Sequence, residues 1–199
     1  MIKLVIIITL LITSCASMLT NKKNDIKQFV LKDNQIKATT TFCEHSKSSH
    51  ALMLINEEAI PPFNSNYIFY LDSNGQISPF AINQWISEPS IMIINNLELR
   101  LNQSCLYKLI INDKSAIATV PAVKASLQLM KLTADFSQNQ PIVVLEVKVA
   151  VLKPDNTINK WKIFHLQQAL NKSDITEVIT VSNQLISELN NQIIEFLPQ

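Results

Sequence analysis

Hydrophobic and polar positions divide the chain into a short apolar opening, a polar joint and a long body in which strand and helix periods alternate. After Lys3, residues 4–12 are apolar apart from Thr9. About ten apolar residues are too few for a lasting helix across a hydrocarbon core about 30 Å thick; with a charged start and a small-residue close they read as a secretory signal peptide over residues 1–14. Residues 15–25 are mostly polar and read as a flexible tether. The body, residues 26–199, begins with a predicted strand over 26–31, a polar loop over 32–49, and a short apolar strand over 51–55 that stops before Pro61-Pro62. Two apolar runs, 67–71 and 76–82, flank Asp72-Ser73-Asn74-Gly75 and predict a hairpin.

Helical spacing then takes over. Ile86, Ile93, Ile94, Leu97 and Leu101 recur on one face of a helix predicted over 87–102, with Ser87 as its cap and Glu88 and Pro89 in its first turn. A strand follows at 107–111. Residues 126–136 alternate, but the apolar phase switches between Leu129 and Leu132, which predicts a bulge near Met130. Residues 142–152 alternate cleanly, with Val143, Leu145, Val147, Val149 and Val151 on one face and Glu146 and Lys148 on the other. Residues 157–166 return as a third strand. A last helix begins at Asp174, capped by Ser173, with a stripe of Val178, Val181, Leu185, Leu189, Ile193 and Phe196. The order β, β, hairpin, α, β, β, β, β, α predicts one α+β domain, its sheet mixed and mainly antiparallel, with both helices on one face.

Composition narrows the chemistry. Gly75 is the one glycine in the chain, so a P-loop, a dinucleotide fingerprint and a G-x-S-x-G elbow, each needing several, are excluded. The formal net charge is +1, and loss of Lys3 with the leader brings acidic and basic residues into balance, which argues against nucleic acid as a partner. Export would place Cys43 and Cys105 in an oxidising compartment, where they form a candidate disulfide; two separate buried thiols are the alternative. His45, His50 and His165 lack zinc-ligand spacing, so no metal or cofactor is expected. Cys43 near His45 or His50 lacks an orienting third group, and Glu57, Glu58 and Asp72 read as solvated strand ends, so no catalytic set is expected. Trp85, at a helix entrance, is either core packing or a partner contact.

Ile12-Thr13-Ser14-Cys15 resembles a bacterial lipobox. That resemblance implies diacylation of the Cys15 thiol, cleavage before it, and an anchor of two or three acyl chains, each buried CH₂ contributing about 0.8 kcal/mol. With this motif, Tyr67-Ile68-Phe69-Tyr70 before the hairpin turn, Gln84-Trp85-Ile86-Ser87-Glu88-Pro89 opening a helix, Asp135-Phe136 ending a strand, Phe164 and the long final helix, the chain resembles the ABC-type transport auxiliary lipoproteins of paraquat-inducible and related MCE systems. The resemblance implies a non-catalytic outer-membrane lipoprotein on the periplasmic face. Its partners would be an MCE-family periplasmic protein and the inner-membrane transporter beneath it, with homo-oligomerisation left open. Ala16, after the lipidated position, fits outer-membrane sorting. The rival readings are a lipoprotein adaptor or activator of a peptidoglycan or outer-membrane assembly enzyme, a lipid or wall hydrolase, and a domain that itself carries lipid.

Overall fold

The computed structural model describes residues 25–37, 46–112, 122–153 and 155–198. Eight strands form one mixed sheet: β1 (Lys27–Phe29), β2 (Ser48–Asn56), β3 (Tyr67–Leu71), β4 (Ile77–Trp85), β5 (Tyr107–Ile111), β6 (Ala122–Asp135), β7 (Ile142–Leu152) and β8 (Ile158–Ala169). Helix α1 (Pro89–Ser104) follows β4, and α2 (Ile175–Phe196) ends the described chain. The expected element order is the observed one, and the fold is α+β.

The sheet is organised around β6. One edge of this strand pairs along its length with β7, which pairs in turn with β8. Its other edge is shared: residues 122–127 take β2 in parallel and residues 133–135 take β3 in parallel. β5 extends the β2 side, while β4 and then β1 extend the β3 side. The two longest ladders, β6–β7 and β7–β8, are antiparallel; the shorter β1–β4, β2–β5, β2–β6 and β3–β6 pairings are parallel. The register of β6 against β7 shifts between Leu129 and Lys131, where the apolar phase of the sequence switches. An extra residue there keeps Leu132 and Ala134 on the same side as Leu127 and Leu129.

That side is the core. Val143, Leu145, Val147, Val149 and Val151 of β7 are buried, and Leu189, Ile186 and Ile193 of α2 and Leu97 and Leu101 of α1 close over the same layer. Each fully buried side chain of this kind stabilises the fold by about 1.5–3 kcal/mol. All of the predicted α2 stripe except the partly buried Phe196 is buried.

Local details correct some expectations. Ile86 precedes α1 and is exposed, because its amide bonds the Phe29 carbonyl in strand fashion and turns the side chain outward. Glu88, not Ser87, is the N-cap of α1, with Pro89 at the first helical position and no capping side chain. Asp174, not Ser173, caps α2: its carboxylate accepts the Glu177 amide at 2.9 Å. The predicted loop over 32–49 is strand from Ser48, whose amide bonds the Leu106 carbonyl and starts β2 beside β5. The hairpin turn is as read: Gly75 sits at φ 80, and the Asp72 carboxylate accepts the amides of Asn74 and Gln76, each at 2.9 Å.

Candidate docking surface

Two layers leave one face of the sheet without a helix among the described residues. Its side chains follow from the strand alternation. In β7 they are Val144, Glu146, Lys148, Ala150 and Leu152, opposite in phase to the core valines. Across from them in β8 stand His165, Ile163, Trp161 and Ile158, paired with Glu146, Lys148, Ala150 and Leu152 respectively. Trp161 is 57% exposed, Ile158 53% and Ile163 42%. These three form an apolar strip along a sheet edge, since among the described residues β8 pairs only with β7. Single exposed apolar residues need no explanation, but three on one face of one strand make this strip the candidate surface.

The chemistry around the strip is basic. Lys148 lies beside Ile163, while Lys160 and Lys162 project from β8 to the helix side, their ammonium groups 4.4 Å and 4.6 Å from the ring centroids of Phe196 and Phe164. Lys160 also donates to the Phe196 carbonyl at 2.5 Å. Among the described residues no carboxylate pairs with Lys148, Lys160 or Lys162; Arg100 pairs with Asp33 at 3.9 Å, and His165 Nδ1 lies 3.0 Å from the Glu146 carboxylate. Farther along the open face, Ala51, Met53 and Ile111 of β2 and β5 pack into a small buried cluster of their own.

A second polar site lies on the helix side. Residues 31–37 run between α1 and α2, and side chains of both helices bind their backbone. Asn96 accepts the Asp33 amide at 2.8 Å and donates to the Leu31 carbonyl at 3.1 Å. Asn183 accepts the Lys32 amide and Ser187 the Asn34 amide, each at 2.9 Å. Gln103 binds both the amide and the carbonyl of Lys37. Buried Asp33 accepts from Asn190 at 3.0 Å and faces Arg100, which also donates to Gln35 and Asn191. A cavity of about 510 Å³ opens beside Arg100, Gln103, Asn191 and Glu195. The helix amides and Arg100 are thus engaged by the chain's own segment.

The residues singled out in sequence are not gathered into one site. Cys15, Cys43 and His45 lie outside the described residues. Cys105, the residue after α1 and in the left-handed region at φ 52, is disulfide-bonded. Trp85 is 2% exposed, enclosed by Ile68, Leu132, Ala134 and Val143 of the sheet and by Val178 and Ser182 of α2. It is therefore core, which corrects its candidacy as a partner contact: the indole has no surface left to offer. His50 and His165 are exposed on different strands, and no three His, Cys, Asp or Glu side chains among the described residues are grouped to hold a metal. The exposed tryptophan is instead Trp161. Its signal was present: Trp161 and Ile163 share one phase of β8 and Phe164 and Leu166 the other, so only one of the two apolar sets can lie under the helices.

No family model matches the chain, and no curated protein matches it. Solved structures do share its fold. Protein XCC0632 from Xanthomonas campestris, described with the family model DUF330, superposes with a TM-score of 0.66 at 12% identity, over 85% of this chain and 91% of that one. An uncharacterized protein superposes with a TM-score of 0.55 at 17% identity, over 76% and 100%. At these identities the likeness establishes the architecture alone. No helix among the described residues is long and apolar enough to cross a membrane.

Proposed function

We propose that this chain is a non-catalytic lipoprotein, held by acyl chains on Cys15 at the periplasmic face of the outer membrane, that docks the periplasmic end of an MCE-type lipid conduit. The observation that carries this reading is the exposed Trp161–Ile163–Ile158 strip on a sheet face that neither helix covers. Tryptophan is among the side chains that dominate interface energies, and surrounding apolar contacts exclude water from it. The lipobox at residues 12–15 and Ala16 supply the anchor and its address, and the sequence resemblance supplies the partner.

The test is recovery of the acylated chain from envelopes after mild crosslinking. An MCE protein should be captured, and Cys15→Ala should leave the fold intact while abolishing transport in cells. Capture of peptidoglycan synthases alone would favour the envelope-enzyme adaptor and end the transport reading.

A further inference from the structure

β8 is a long strand with no further strand on its outer edge among the described residues. It runs for twelve residues, from Ile158 to Ala169, and among the described residues the one strand its backbone pairs with is β7. An edge of this length presents a row of unpaired amides and carbonyls, and proteins usually shorten, bend or cover such an edge. The register slips once, between the Val151 and Leu152 partners near the hairpin, and then runs unbroken from Lys160 to Ala169. The described residues place no other strand or helix along that edge.

Side chains on either side of the edge define what could fit. Toward the open face stand Trp161 and Ile163, then His165; toward the helices stand Lys160 and Lys162. The strand contains two lysines, a histidine and no carboxylate. A second copy of β8 would bring lysines with no acid to receive them, since like charges on neighbouring strands repel and opposite charges attract. A lipid surface would meet the apolar strip but leave the edge's backbone groups without partners. We infer that β8 accepts an extended segment of another chain, one that alternates acidic residues, set against Lys160 and Lys162, with large apolar residues set against Trp161 and Ile163. Main-chain hydrogen bonds supply the affinity of such strand addition, and the alternating side chains supply the choice of partner. This inference rests on the docking reading above and specifies its geometry.

A synthetic peptide alternating glutamate with isoleucine and valine serves as the probe, with two controls: one N-methylated at alternate residues, the other with lysine in place of glutamate. Each is titrated into the full chain purified from envelopes in mild detergent, followed by hydrogen–deuterium exchange and tryptophan emission. The acidic peptide should slow exchange across 158–169 and blue-shift the exposed indole. Lys160→Glu with Lys162→Glu should weaken it roughly tenfold, the scale of one or two lost cross-strand charge pairs. An unchanged melting temperature would show that this double variant still folds. Equal binding of the N-methylated peptide would overturn edge pairing, and equal binding of the lysine peptide would overturn the charge assignment. Two other outcomes also overturn the inference: dimerisation of the chain through β8, or an indole shift seen only with phosphatidylglycerol vesicles. Capture of an MCE protein by the same double variant separates the two claims. If capture persists at full strength, the edge inference falls and the transport reading stands; if the peptide binds but no MCE protein is captured, the reverse holds.

Discussion

The two faces of the sheet are built from the same strands and behave as different materials. Under the helices, β7 contributes five buried apolar side chains in a row, and Trp85, Phe164 and Leu189 fill the space between layers. On the other face β7 carries buried Val144 and Ala150 between partly exposed Glu146, Lys148 and Leu152, and Trp161 of β8 stands more than half in water. The molecule's two tryptophans make the contrast sharp. Trp85 is enclosed and holds the fold together; Trp161 is exposed and contributes little to it. On the docking reading proposed above, stability and recognition fall on opposite sides of one layer, and the exposed side chains Trp161, Ile163 and Ile158 can change without loosening the core.

Substitutions can break this comparison, and the largest effect belongs to the covered face. Trp85→Ala should destabilise the fold by about 3–5 kcal/mol, because it removes a large side chain between sheet and α2 and leaves a cavity; urea denaturation checks this. Asp33→Ala should cost about 1–3 kcal/mol, since the buried Asn190 amide and Arg100 would lose their acceptor. Its signature is early proteolytic cleavage near residues 31–37. Asp174→Ala should cost about 1 kcal/mol by freeing the Glu177 amide at the start of α2, visible as a lower melting temperature. Trp161→Ala should stay within about 0.5 kcal/mol of the parent.

Tyr107 adds an effect confined to alkaline solution. Burial disfavours the phenolate and pushes its pKa from 10.0 up to about 12. The unfolded chain therefore releases this proton near pH 10, while the folded chain holds it. The stability tied to the neutral phenol is complete below pH 10 and is lost as pH rises through 12. Tyr107→Phe should flatten that part of the stability-against-pH curve. It should also remove the hydrogen bond that Tyr107 donates to the Pro198 carbonyl.

Much of the covered side was legible in the sequence because a helix-covered face forces regular spacing. The alternating valines of 142–152, the α2 stripe and the phase switch at Met130 each state which side chains must share a face, and packing enforces them. What sequence could not resolve depended on contacts distant in the chain. Residues 32–37 carry no periodicity, yet Asn96, Gln103, Asn183 and Ser187 bind their backbone across both helices. Ile86 fits the helical spacing but belongs to the turn before α1, because a bond to Phe29 in β1 holds its backbone extended. Trp161 was hidden by its neighbours: in a strand with apolar residues in both phases, the exposed phase is decided by where α2 packs.

The open-face account is tested most directly by measuring stability and partner capture together on Trp161→Ser in the full chain. The prediction is an unchanged melting temperature with capture of the MCE protein lost. Undiminished capture, or a loss of capture matched by a loss of folding, would contradict the claim that this face is where the molecule docks.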